Sequence, residues 1–417
     1  MAKQKVIIIG AGVTGLFSAY YLLHEGYEVT LIDKGNLKDN CSLGNAGMIV
    51  PSHFIPLAAP GMISKGIKWM FNSRSPFYVK PSLNPELLRW GIQFWKHANT
   101  KHVATSAEPL RDFHLLSKGL YNSLASESAI EFGLQHKGIL MLYKNAEIGK
   151  EEVHVAQQAK DLGLNVDILN SAQVQELEPH VELDVAGAVH YQCDSHLYPN
   201  QLVQNMIKYL KEKDVSIITN SAITSIDIKN NRINAVHTTL QKYEADLFVL
   251  TGGAWLPELA KKAGLPIPLM PGKGYSFMHQ PGERQIIHPA LLLEAKVAVT
   301  PMNSQVRFGG TMEIAPVNNK INMKRVEGIW NAIPQYYRNY KVAMPQPDEI
   351  WYGFRPCSPD GLPYLGYTNK IENLIVAGGH GMMGVSLAPA TGKMVAQLAS
   401  GQQTLMDISL FSPDRFA

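Results

Sequence analysis

The chain is 417 residues long, with 46% apolar and 18% charged side chains, enough for two or three domains with well-buried cores and too apolar for a disordered or low-complexity polymer. Thirty-eight Lys and Arg against 35 Asp and Glu leave a scattered +3, which argues against nucleic acid as a partner and favours small or apolar ligands. Three widely separated cysteines, Cys41, Cys193 and Cys357, form no CxxC pair or zinc knuckle, so a reducing compartment and no metal are expected.

The first apolar run is too short for a secretory h-region, and no signal peptide is expected. Lys5–Ile9 predicts a short strand, Gly10–Gly15 is glycine punctuation, Leu16–Leu23 a helix and Tyr27–Asp33 a second strand, together one βαβ unit. Met48–Phe71 is apolar but interrupted by Pro51, Pro56, Pro60, Lys65 and Lys68, so it does not span a bilayer. Helices follow near Pro85–His97 and Glu108–Leu124; Leu87, Leu88, Trp90, Ile92, Phe94 and Trp95 of the first are read first as core and second as a lid. Gly138–Tyr143 looks like a strand and Ala146–Leu162 a helix, so Phe77 to about His190 reads as an inserted region away from the first sheet. Pro199–Lys211 predicts an amphipathic helix. Val215–Ile218, Ile223–Ile228 and Ile233–Thr238 are short strands, the last two joined at Asn230-Asn231. Asp246–Leu250 ends in Thr251-Gly252-Gly253, repeating the strand-then-glycine pattern of the start. Strands between Gly274 and Gly310 suggest a second sheet. Asn373–Ala377, a glycine loop and the helix Val385–Leu398 close the chain, with no internal repeat.

Gly10-Ala11-Gly12-Val13-Thr14-Gly15 sits between strand and helix, and Asp33 ends the next strand 18 positions after Gly15. That combination suits a dinucleotide: Gly10 for the turn, Gly12 for approach of the pyrophosphate, Gly15 for helix-on-sheet contact. Asp33 is expected to accept from the adenosine ribose. Gly44-Asn45-Ala46-Gly47 reads equally as a main-chain approach to a flat ring or an ordinary turn. Gly378–Gly384 (GGHGMMG) opens the last helix, and its N-terminus suits the pyrimidine side of a flavin; a plain βα turn is the other reading. Arg355, before Pro356 and the Pro359-Asp360-Gly361 turn, reads first as a surface salt bridge and second as a bidentate carboxylate clamp. An NAD-dependent dehydrogenase, or a flavoprotein serving assembly or RNA modification, would share the first motif.

Taken in order, GAGVTG with Asp33, GNAGMI with Ala58-Ala59-Pro60-Gly61 and Lys68-Trp69-Met70-Phe71, Pro271–Ser276, Arg355-Pro356 with Pro359-Asp360-Gly361, and GGHGMMG resemble the FAD-dependent amino acid oxidoreductases of the D-amino-acid oxidase superfamily. Among these the chain looks most like the bacterial D-amino-acid dehydrogenases. The resemblance implies an α/β fold: an FAD-binding Rossmann-like domain of glutathione-reductase type (1–60, 195–260 and 345–417) and a mixed-sheet α+β substrate domain (61–194 and 261–344). It implies FAD against Gly10–Gly15, Asp33, Lys34, Gly44, Asn45, Ala46, Gly47, Met48, Ala222, Gly252, Gly253, Gly379, Gly381, Met382, Met383 and Gly384, and a substrate carboxylate on Arg355. Asn45 and Gly353 stand where covalent members carry a flavin-linking His or Cys, so non-covalent FAD is expected. His53 departs from the family pattern and leaves a cyclic imino acid such as proline or hydroxyproline open beside a small D-amino acid, as are sarcosine and glycine.

The implied mechanism has Arg355 fix the substrate Cα–H over flavin N5, with Tyr275 bonding the same carboxylate. Hydride transfer then gives an imino acid, which water converts to a keto acid and ammonia. His53 and His380 are candidates to accept or relay a proton. A quinone, a carrier protein or oxygen takes the electrons. The protein is expected in the cytoplasm or peripheral on the inner face of the cell membrane. Lys65, Lys68, Trp69, Met70 and Phe71 would touch lipid, although a buried loop beside the flavin explains that region as well.

Overall fold

Val6–Ile9 are four β-branched residues in a row, a pattern that suits a strand covered on both faces, and all four are buried. The computed structural model describes residues 3–62, 64, 77–79, 84–127 and 130–417. In chain order it begins with β1 (Lys5–Ile9), α1 (Val13–His24), β2 (Glu28–Ile32), β3 (Phe77–Val79), α2 (Pro85–His97) and α3 (Thr100–Glu127). Next come β4 (Ile139–Tyr143), α4 (Ala146–Asp161), β5 (Val166–Asn170), β6 (Gly187–Tyr191), α5 (Pro199–Glu212), β7 (Ser216–Ile218) and β8 (Leu247–Leu250). The remainder used below is β9 (Met270–His279), β10 (Ala290–Leu292), β11 (Val297–Met302), β12 (Gln305–Ile314), β13 (Trp351–Cys357), β14 (Tyr364–Tyr367), β15 (Leu374–Gly378) and α6 (Gly384–Ala399).

The first sheet has the order β7-β2-β1-β8-β15-β14, parallel except for the terminal β14. α1 and α6 cover one face, joined by Phe17, Leu387, Val395 and their neighbours. The second sheet runs β13-β9-β12-β11-β10-β4-β6-β5, with β3 added beside β12, and is antiparallel apart from the β10–β4 and β3–β12 pairs. A small meander (Ile223–Lys229, Arg232–Thr238, Lys242–Tyr243) turns at Asn230 and Asn231, both at positive φ.

Three expectations change. α3 belongs with the first sheet, because Leu110, Phe113, Tyr121 and Leu124 bury their side chains against α1 and α6, and the Tyr121 hydroxyl donates to Val385 O at 2.7 Å. β13 falls in the second sheet, paired along its length with β9, so residues 351–357 leave the segment assigned to the cofactor domain. On α2 only part of the apolar pattern is core: Leu87 and Trp90 are buried, whereas Leu88, Ile92 and Trp95 are 67%, 48% and 67% exposed. Lys65, Lys68, Trp69, Met70 and Phe71 lie outside the described residues. Among the described residues no helix is long and apolar enough to cross a membrane, and no His, Cys, Asp or Glu cluster is arranged for a metal ion.

Candidate active site

The carboxyl ends of β1, β2, β8 and β15 open on a cavity of about 1470 Å³ that extends across to β9 and β13 of the second sheet. Its position is the crevice where parallel α/β sheets bind ligands. The first turn is built by exclusion. Gly10 sits at φ +110°, and a Cβ there would come within 2.6 Å of Thr251 O; a Cβ on Gly15 would lie 1.9 Å from Gly10 O. Thr251 Oγ1 donates to Gly10 O at 2.7 Å. α1 therefore starts hard against the β1 turn with no capping side chain from its N-cap Gly12, and Ser42 Oγ accepts from Val13 N at 3.1 Å. Asp33 accepts from Ala11 N and Gly35 N, each at 2.7 Å, so its carboxylate braces the glycine turn, and each oxygen keeps a further lone pair.

All the residues expected against a cofactor line this cavity except Ala11, Gly15, Gly47 and Gly379. At one end Lys34 Nζ lies 3.5 Å from the Trp255 ring centroid. Nearby Ser221 lines the cavity, its Oγ buried and without a hydrogen-bond partner among the described residues. At the other end the N-terminus of α6 faces the cavity through Gly381–Gly384. The Gly44–Gly47 loop is held from the second sheet: Arg307 donates to Leu43 O at 3.0 Å and Asn45 O at 2.6 Å, and Ser276 Oγ donates to Gly44 O at 3.0 Å. Burial pulls the Arg307 pKa down to about 10.

Arg355 reaches the cavity from β13 over Gly274, where a Cβ would come 2.0 Å from its Nη1. It donates to Thr311 O at 2.6 Å, pairs with no carboxylate among the described residues, and has its pKa lowered by burial. A guanidinium so placed still has donors to offer an incoming carboxylate. Thr311, a β-branched residue at φ +63°, sits at an irregularity in the β9–β12 ladder, and its buried Oγ1 lacks a partner among the described residues. Tyr275 borders the cavity but packs with Phe277 and Phe308, and its hydroxyl accepts from Asn322 N at 3.3 Å, with no hydrogen bond to Arg355 among the described residues.

His380 is buried and hydrogen-bonds Thr391 Oγ1 at 3.0 Å; that hydroxyl donates onward to Leu387 O, so His380 Nε2 carries the proton. Burial holds its pKa near 4. His53 borders the cavity with Nδ1 3.1 Å from Ser52 Oγ. Buried His114 bonds Ser386 Oγ at 2.8 Å and Met383 Sδ at 3.2 Å behind the start of α6.

Residues 5–398 match the family described as FAD dependent oxidoreductase. The chain belongs to that family. This FAD-dependent oxidoreductase is 29% identical over 414 residues to D-amino acid dehydrogenase of Helicobacter pylori, covering 98% of each chain. It is 28% identical over 415 residues to the protein of that name from Neisseria meningitidis serogroup C, covering 96% of this chain and 97% of the other. Among solved structures it shares its fold with glycine oxidase from Geobacillus kaustophilus (TM-score 0.78, 21% identity, 99% of each chain). L-proline dehydrogenase from P. horikoshii is similar at TM-score 0.76 and 19% identity, covering 99% of this chain and 98% of that one.

The residues present fit FAD. The Gly10–Gly15 turn with the α1 N-terminus suits the pyrophosphate, Asp33 and Ser221 offer polar atoms to its adenosine end, and Gly44–Met48 with Gly381–Gly384 would enclose the ring. Arg307, Ser42 and Thr311 have no local motif. The one sequence signal for Arg307 is a charge set in an otherwise apolar strand, QVRFGG.

Proposed function

We propose that this FAD-dependent oxidoreductase oxidises the Cα–N bond of a small D-amino acid, giving an imino acid that water hydrolyses to a keto acid and ammonia. The observation that carries this reading is Arg355, a cation without a carboxylate partner among the described residues, on the wall of the same cavity that the cofactor turn opens on. Bound FAD supplies the two-electron acceptor. Arg355 binds the substrate carboxylate and thereby orients the Cα–H, with Thr311 Oγ1 in place to donate a second hydrogen bond. The full-length similarity to proteins named D-amino acid dehydrogenase supports D-amino acids as substrates. Asn45 and Gly353 offer no nucleophile to the flavin, which supports non-covalent FAD.

The test is anaerobic mixing of the yellow holoenzyme with D- and L-alanine, glycine, sarcosine, D- and L-proline and hydroxyproline. D-alanine should bleach the flavin and L-alanine should not. A flavin that stays oxidised with every compound refutes the reading, and bleaching by secondary amines alone moves it to cyclic or N-substituted substrates.

We further infer that electrons leave to a quinone or carrier at a membrane surface. Supporting this, Leu88, Ile92 and Trp95 make an exposed apolar stripe at i, i+4, i+7 on α2, with exposed Arg89 and Lys96 beside it, a pattern suited to anionic lipid.

A further inference from the structure

Ser52 and His53 lie on the cavity wall just after Met48–Ile49, and Asp194 lies behind them, fully buried, in the turn after β6. Ser52 clamps the carboxylate twice, with its N–H 3.0 Å from Oδ1 and its Oγ 2.6 Å from Oδ2. His53 Nδ1 lies 3.1 Å from the same Ser52 Oγ. Among the described residues His53 Nε2 has no hydrogen-bond partner.

A serine hydroxyl has one proton and can accept as well as donate, so this line has two complete arrangements. With Asp194 ionised, Ser52 donates to Asp194, His53 Nδ1–H donates to Ser52, and Nε2 presents a lone pair. With Asp194 protonated at Oδ2, the two side-chain bonds reverse while Ser52 N–H still donates to Oδ1, and His53 Nε2 carries the hydrogen. We propose that Asp194, Ser52 and His53 form a proton relay that takes the proton of the substrate ammonium before the Cα–H is oxidised, a role that rests on the amine-oxidation reading above.

The step balances. An ammonium N–H bond breaks and its proton bonds to His53 Nε2; the Nδ1–H proton passes to Ser52 Oγ; the Ser52 hydroxyl proton passes to Asp194 Oδ2. The substrate goes from ammonium to amine, the carboxylate becomes a carboxylic acid, and His53 exchanges one neutral tautomer for the other. The surroundings favour relay over storage on the imidazole. Enclosure by protein, with Lys296 nearby, brings the His53 pKa down to about 4, and neutral His114 is its other titratable neighbour. Asp194, by contrast, is raised to about 7 by burial, with the two Ser52 bonds, the Cys193 thiol and Lys118 opposing the rise. Tyr191 also faces Asp194, and Lys118 Nζ is engaged with Cys193 O at 2.6 Å. The proton therefore has a resting place at neutral pH on the carboxylate.

The test uses holoenzyme, checked for FAD content, and the best substrate of the panel. Rapid-mixing measurements across pH should show flavin reduction in Ser52→Ala and Asp194→Asn slowed about a hundredfold at pH 7. The deficit should close as the pH approaches that at which the substrate amine deprotonates unaided, and Ser52→Thr should restore the parent profile. A deficit equal at all pH values, or none, overturns the relay. Independently, the substrate-free parent should show in pH-difference infrared spectra the C=O band of a buried carboxylic acid, lost in Asp194→Asn; its absence from the parent overturns the relay without reference to turnover. A parent that no panel member bleaches refutes the amine-oxidation reading instead.

Discussion

Arg355 and Thr311 are coupled by the Arg355 Nη1 to Thr311 O bond, and each leads to a distinct test. Replacing Arg355 with Leu removes a charge-assisted carboxylate contact in an enclosed site, and contacts of that kind are worth about 2–5 kcal/mol. We expect KM to rise about a hundredfold or more with FAD content unchanged; a parent-like KM in steady-state assays would falsify the clamp. Thr311→Gly relieves a left-handed conformation costing about 1–2 kcal/mol, against about 0.5–1 kcal/mol of added chain entropy. The melting temperature should hold or rise while KM increases a few-fold with the hydroxyl gone. A fall of several degrees would show that the threonine contacts outweigh the strain. These residues also mark what the sequence reveals. Gly10–Gly15 and Asp33 are legible because a turn is local chemistry. Tyr275 is half legible: its place on the cavity wall follows from the strand, but period-two alternation does not say that its hydroxyl meets Asn322 N. Thr311 is invisible because a ladder irregularity, not its own propensity, sets its φ.

Among the elements, the β1–α1–β2 unit depends on Asp33, whose two acceptor bonds to Ala11 and Gly35 shape the glycine turn even before any ribose contact. Asp33→Ala should weaken FAD retention at least about tenfold, since two hydrogen bonds to a charged group are lost. Unchanged flavin content after gel filtration would refute this. α2 was legible as a helix from Pro85 to His97, but its apolar residues divide between a core side and an outward stripe. The division depends on where Trp90 docks, with its Nε1 on Cys357 O at 2.9 Å, which no helical period reveals. Substituting Leu88, Ile92 and Trp95 by Ser should abolish co-sedimentation with vesicles rich in phosphatidylserine and leave flavin reduction intact. Equal sedimentation of parent and variant would end the membrane reading.

On the scale of the whole molecule, stability should depend steeply on acidity. His114, His196 and His380 are buried, and desolvation lowers their pKa values from 6.5 to about 3, 4 and 4. Below pH 6.5 the unfolded chain takes up protons that the folded one refuses, so stability falls as pH drops from 6.5 towards 4. Each histidine contributes about 1.4 kcal/mol per pH unit. Asp194, held up to about 7, works in the opposite direction as a single group. Thermal melts from pH 7 to pH 4.5 should show this slope, and His114→Gln should flatten it; a parent and variant of equal slope would mean His114 is not neutral in the fold. The segment order of the fold was readable from strand and helix runs. The allocation of β13 and α3 was not, because their partners, β9 for one and α1 with α6 for the other, are distant in the chain.

The join between the two sheets carries one more consequence. Immediately after Arg355, Pro356 O accepts from Gly381 N at 2.9 Å, and the following Asp360 is gripped by Arg415 at 2.7 and 3.0 Å. The cation proposed to hold the substrate and the loop at the foot of α6 are thus riveted together and do not ride on separately swinging lobes. A chimaera that imports the second sheet from a relative to change selectivity must therefore bring residues 355–381 as one inseparable block, or lose the spacing between the captured acid and the redox ring.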